Sequence, residues 1–163
     1  MTTYIIVMVI CLISSAYFSA TETAFSCANK TRLRALAEKG NKKAELAVSL
    51  ADKYDSLIST ILIGNNIVNI VLASVATLLF VEELKLPSGA AISTAVVTVA
   101  VLIFGEITPK SIANDFPEKF TMLSAPFIRV LIWLFLPLNF IFSLWKKLIG
   151  KLFKAEQEDN MAQ

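Results

Sequence analysis

Residues 2–20, 56–81 and 86–105 contain no Asp, Glu, Lys or Arg, and few folds can accommodate three such runs in a chain of 163 residues. Roughly 20 consecutive apolar residues cross a hydrocarbon core as a helix. Only helices and closed barrels satisfy every backbone N–H and C=O there. The three runs predict an all-α membrane protein with three transmembrane helices, at about residues 4–26, 57–81 and 90–108.

Composition narrows the chemistry. The chain is 56% hydrophobic and only 17% charged, against about a quarter charged in soluble domains. It has no histidine and two cysteines, which excludes imidazole- or thiolate-based zinc and copper sites and any histidine-dependent triad. Cys11 and Cys27 fall on one helix, roughly 24 Å apart at 1.5 Å per residue, too far for a disulfide. There is no Gly-x-x-x-x-Gly-Lys-Ser/Thr phosphate loop. The chain does not read as an enzyme, and its expected partner is the lipid bilayer rather than nucleic acid. No basic segment precedes the first apolar run and no clear cleavage site follows it, so that run is expected to be a retained span.

The connecting segments set the orientation. Residues 29–55 repeat Leu33, Leu36, Ala37, Ala44, Ala47, Val48 and Ala51 at three- and four-residue steps, which predicts amphipathic helices broken at Gly40-Asn41. They carry seven basic residues, Lys30, Arg32, Arg34, Lys39, Lys42, Lys43 and Lys53. The loop at 82–89 has one, Lys85. Basic loops stay cytoplasmic, which puts the N-terminus outside, residue 110 inside and the protein in the cell membrane as a multi-pass chain. The last apolar stretch, 120–145, is interrupted by Pro126, Arg129 and Pro137. A fourth crossing would carry Lys146, Lys147, Lys151 and Lys154 outside. The favoured alternative is a juxtamembrane belt over about 120–150, either in-plane helices or a re-entrant hairpin, which leaves the C-terminus cytoplasmic. Residues 156–163 read as a polar, disordered tail.

Polar residues interrupt each span. Ser19, Glu22 and Ser26 share a face of the first at i, i+3 and i+7. Asn65, Asn66 and Asn69 follow Gly64 on the second. Gly105 and Glu106 stand on the third, just before Pro109. Counted at 1.5 Å per residue from the outer ends, Asn69, Ser19 and Glu106 fall about 17, 22 and 24 Å deep. A carboxylate at that depth is costly and so marks a functional site. Pro109 has no N–H, so the carbonyl of Gly105, four residues earlier, loses its helical donor. Hydroxyl, amide, backbone and carboxylate oxygens together suit Mg²⁺, Ca²⁺ or Na⁺. The expected ligands are Ser19, Asn65 or Asn69, the Gly105 carbonyl and Glu106, with Glu22, Ser26 and Asn66 as further candidates. Pairing of Glu106 with Lys110, or of Glu22 with Arg32 or Lys30, is the structural alternative.

Three ordered runs carry a resemblance. They are Tyr17-Phe18-Ser19-Ala20-Thr21-Glu22-Thr23-Ala24-Phe25-Ser26, Ile63-Gly64-Asn65-Asn66-Ile67-Val68-Asn69 and Phe104-Gly105-Glu106-Ile107-Thr108-Pro109-Lys110. Together they resemble the transmembrane domain of the cyclin M / CorC magnesium transporters, over nearly the whole chain. The resemblance implies a homodimer of three-span protomers with a juxtamembrane helix belt. It also implies Mg²⁺ export coupled to Na⁺ entry, through an intramembrane site like the one drawn above. Members of that family usually continue into a cytosolic pair of nucleotide-binding CBS modules; this sequence ends at Gln163 and is expected to represent the membrane domain alone. A different class of function, a membrane anchor and dimerisation module with a structural or sensory cation, would use the same residues.

Overall fold

In a computed structural model that describes residues 1–161, with side chains described to 150 save at 142 and 146, every regular element is helical. The first span is α1, Thr2–Cys27. It ends where Ala28 turns extended, with φ −62° and ψ 136°. Two short helices follow, α2 at Lys30–Glu38 and α3 at Lys42–Asp52. Each starts under an asparagine cap: the Asn29 side chain accepts from the Arg32 N–H, and the Asn41 side chain from those of Lys43 and Ala44. Such caps satisfy donors that the first helical turn leaves open. The break between α2 and α3 falls at Gly40-Asn41, where Gly40 adopts φ 86°, a left-handed conformation that a residue without Cβ takes at little cost.

The second span is α4, Tyr54–Leu78, which widens into a π-helical turn over Leu79–Glu83. The third is α5, Gly89–Ala100, followed by a π-helical segment at Val101–Ile107 and then α6, Thr108–Asp115. These three helical stretches, Thr2–Cys27, Tyr54–Glu83 and Gly89–Asp115, are each long and apolar enough to cross a membrane. The N-terminal ammonium lies 3.4 Å from Glu83, which sets the chain start and the 82–89 loop at one end of the bundle.

The third span does not stop near Thr108. Its helix passes through Pro109 and ends at Asp115. Proline is accommodated inside this continuous helix because the backbone just before it is π-helical rather than regular α-helix. The turn before it has already left the α-helical ladder, and the Thr108 N–H reaches back five residues to the Ile103 carbonyl.

The chain closes with α7, Pro117–Leu134, and α8, Leu136–Met161. They bend by 70° at their junction and make up to a fourth crossing only if the pair is counted as one span. Helix α8 covers residues 156–161, where a disordered tail is expected. The local sequence Lys-Ala-Glu-Gln-Glu is rich in helix formers; residues 162 and 163 lie outside the described residues.

Packing occurs at two levels. Toward the α2–α3 end, Phe18, Phe25, Leu33, Ala47, Leu50, Leu57, Ile61 and Ile128 form one buried cluster. Toward the other end, Cys11, Leu72, Ala76 and Val97 form a second, joining all three spans. Close approach depends on small residues, as is usual between membrane helices. A Cβ on Gly64 would sit 2.5 Å from the Phe18 ring.

Candidate cation site

Between those two apolar clusters the spans meet through polar side chains. Ser15, wholly buried on α1, donates to Asn65 Oδ1 on α4 at 3.0 Å. Asn65 Nδ2 in turn donates to Glu106 Oε1 on the third span at 3.2 Å. Gly105 completes the junction, because a Cβ there would lie 3.0 Å from Ser15 Oγ. The absent side chain is what lets the third span reach α1 at this level. The π-helical segment places both residues: Gly105 is buried and Glu106 half-buried, both turned inward from a helix whose Leu102, Ile103, Phe104 and Ile107 are exposed. Wide π turns of this kind often mark functional positions in helices.

The second carboxylate joins one turn further along. Lys110 Nζ lies 3.1 Å from Glu106 Oε2 and 3.5 Å from Glu22 Oε2. The pairing of Glu106 with Lys110, the structural alternative to a ligand role, is therefore present. Glu22 pairs with this lysine, while Arg32 lies 3.8 Å from Glu118 on α7. Two carboxylates around one ammonium leave the group one net negative charge.

Two buried oxygens in this region have no hydrogen-bond partner, Ser19 Oγ and Asn69 Oδ1. Ser19 is 1% exposed and lies on α1 between Ser15 and Glu22, both of which reach the network. Leaving such an atom unsatisfied costs about 1–3 kcal/mol. The donor set therefore fits a hard cation: it is all oxygen, largely uncharged, and under-satisfied where a ligand would make up the difference. Among the described residues no three His, Cys, Asp or Glu side chains cluster as a metal site. Any cation held here relies on amide, hydroxyl and backbone oxygens beside the two carboxylates.

The other candidates stand at different places around this bridge. Asn69 stands one helical turn, roughly 6 Å, beyond Asn65, as Ser19 does beyond Ser15 on the other side of the bridge, and its amide oxygen is orphaned like the Ser19 hydroxyl. Asn69 and Ser19 lie on opposite sides of the α1–α4 contact rather than at comparable depth, because α4 is matched to α1 at Asn65–Ser15 and Gly64–Phe18. Asn66 is exposed, about 100° around α4 from Asn65. Ser26 is also exposed; its hydroxyl donates to the Glu22 carbonyl at 2.9 Å and meets Tyr54 Oη at 3.1 Å. Ser15 was not a sequence candidate. Its signal was present, since it precedes Ser19 by four residues and extends that polar face by one turn.

Apolar helices that converge on amide, hydroxyl and carboxylate oxygens at mid-span define a polytopic helical membrane domain with an intramembrane polar site. A family model described as the Cyclin M transmembrane N-terminal domain matches residues 6–163, and the chain belongs to that family. It is 41% identical over 147 residues to a UPF0053 protein of Haemophilus influenzae, covering 90% of this chain and 35% of that protein. It is 38% identical over 138 residues to the UPF0053 inner membrane protein YfjD of Escherichia coli K12, covering 85% and 32% respectively. The chain thus spans about a third of the length of these curated relatives.

Proposed function

We propose that this domain exports Mg²⁺ across the cell membrane in exchange for Na⁺, using the junction of Ser15, Ser19, Asn65, Gly105 and Glu106. The observation that carries the reading is the bridge from Ser15 through Asn65 to Glu106, with the orphaned Ser19 hydroxyl one helical turn from Ser15 on α1. Mg²⁺ prefers six hard oxygen ligands and commonly keeps several waters. Mostly neutral donors bind such an ion without trapping it, as transport requires.

Accessibility supports the same reading. The Glu22 and Lys110 side chains are 32% and 41% exposed, so the site is reachable from the α2–α3 end. The opposite approach is closed by Cys11, Leu72, Ala76 and Val97. With the basic α2–α3 segment cytoplasmic by the positive-inside rule, this is an inward-accessible arrangement, and the N-terminus is outside. The functional unit in this proposal is a homodimer. An exposed amide such as Asn66 in an apolar span is costly against lipid, and a second copy would cover it.

One observation favours a second reading. Lys110 already supplies a cation to both carboxylates, as a purely structural tie in a membrane anchor would. Purified protein in liposomes separates the two. Mg²⁺ flux that depends on a Na⁺ gradient and is lost in Glu106→Gln supports transport. Absence of flux from a folded, correctly inserted protein overturns it.

A further inference from the structure

The Lys110 ammonium bridges carboxylates from two different spans and sits where the site is most accessible. It lies within 3.5 Å of both Glu22 and Glu106, yet its side chain is 41% exposed. A lysine that served only as a tie gains most from burial, where water does not compete with the pair. This one is anchored on α6 by a flexible four-carbon stem, with open surroundings into which its head can swing. Its ammonium is a compact, strongly hydrated point charge, easier to exchange than the planar fork of an arginine.

Charge shows what that exchange would do. Two carboxylates and the ammonium sum to one negative charge. A divalent cation entering with Lys110 in place makes the group net positive, with two cations competing for the same oxygens. If the lysine withdraws to water, two carboxylates and one divalent ion are neutral. Resting on the transport reading above, we infer that Lys110 is a tethered counter-cation. It holds Glu22 and Glu106 while the site is empty, yields to the entering Mg²⁺, and by returning promotes the ion's release.

Two measurements test this. In Lys110→Met, Mg²⁺ affinity by calorimetry should rise about tenfold or more, because a competing charge within a few ångströms has gone. Turnover in liposomes should fall as release slows. Coulomb energy scales with ionic charge, so the gain for Mg²⁺ in logarithmic terms should be about twice that for Na⁺. A folded variant with unchanged or weaker Mg²⁺ binding makes Lys110 a structural tie and overturns the inference.

The second measurement uses the wild-type protein and does not depend on the variant folding. Acylation of Lys110 by an amine-reactive reagent, read by mass spectrometry, should accelerate when Mg²⁺ is added, with half-effect at the calorimetric dissociation constant. Lysines on α2 and α3 should be unaffected. Slower or unchanged acylation at saturating Mg²⁺ overturns the inference while leaving the cation site standing. A wild-type protein that binds no Mg²⁺ overturns both.

Discussion

Ser15 Oγ donates to Asn65 Oδ1 at 3.0 Å, while the acceptor-only carboxylate of Glu106 on the other side sets which way the amide faces. With its oxygen toward α1, Asn65 presents Nδ2 to Glu106 at 3.2 Å. A cation beside Glu106 needs the amide oxygen instead, which requires the amide to turn over. A serine hydroxyl both donates and accepts, so Ser15 can bond either orientation. Ser15 thus steadies a ligand in two states, which an alanine could not do.

Gly105→Ala tests how tightly that junction is built. The new Cβ would lie 3.0 Å from Ser15 Oγ, so the hydroxyl or the third span must shift. Overpacking of this kind costs about 1–3 kcal/mol. The variant should melt several degrees lower in detergent and bind Mg²⁺ more weakly. Adding Ser15→Ala should recover most of the stability but not the binding. Recovery of both would remove Ser15 from the site.

Gly64→Ala separates packing from chemistry. Its Cβ would meet the Phe18 ring at 2.5 Å, and Phe18 is 6% exposed within the inner cluster. Stability should fall by about 2–3 kcal/mol, and Phe18→Leu should restore part of it. Where the double variant folds, Mg²⁺ affinity should return close to wild type, because neither residue supplies an oxygen.

The apolar runs made the three spans legible, and the alternating Leu and Ala residues made α2 and α3 legible. Helix register was not. Depth counted from loop ends assumes upright helices starting at the same level, and an error of one turn moves Asn69 away from Ser19. Ser15 stayed hidden because a single serine in a membrane helix most often bonds its own backbone, as Ser14 does to the Ile10 carbonyl at 2.8 Å. The Lys110–Glu22 contact joins the first and third spans, and no local pattern encodes it. Pro109 signalled a helix stop, yet a π turn absorbed it. Local propensity here gave way to tertiary packing, with Pro109 and Ala113 buried.

Orientation is open to cysteine labelling. Cys27 is exposed and would react, so the background needs Cys27→Ser; Cys11 is buried. An impermeant reagent applied outside should modify a cysteine at Ser88 and leave one at Lys43 or Lys147 untouched. Modification at Lys147 would make α7 and α8 a fourth crossing.

Pro109→Ala supplies an N–H that the third span lacks. The new donor can bond the Gly105 carbonyl and draw the π turn back toward a regular α-helix. Melting temperature should stay level or rise. Mg²⁺ affinity should drop about tenfold, since closing the π turn rotates Glu106 away from Asn65. Affinity equal to wild type would reduce the proline to a feature of helix geometry.

Ser19→Ala distinguishes a ligand from a packing residue most directly. The Ser19 hydroxyl is buried with no partner, a condition that costs about 1–3 kcal/mol in the ion-free protein. Alanine removes the unsatisfied oxygen and keeps nearly the same volume. The variant should therefore be as stable as wild type or about 1 kcal/mol more stable, an unusual result for a change at a buried polar position. If the hydroxyl waits for a cation, the same variant should bind Mg²⁺ at least several-fold more weakly and show slower flux. Stability gained where function is lost is the expected trade at a site whose atoms are left unpaired for a ligand. Equal affinity with raised stability would make Ser19 a packing residue and move the site's centre to Ser15, Asn65 and Glu106.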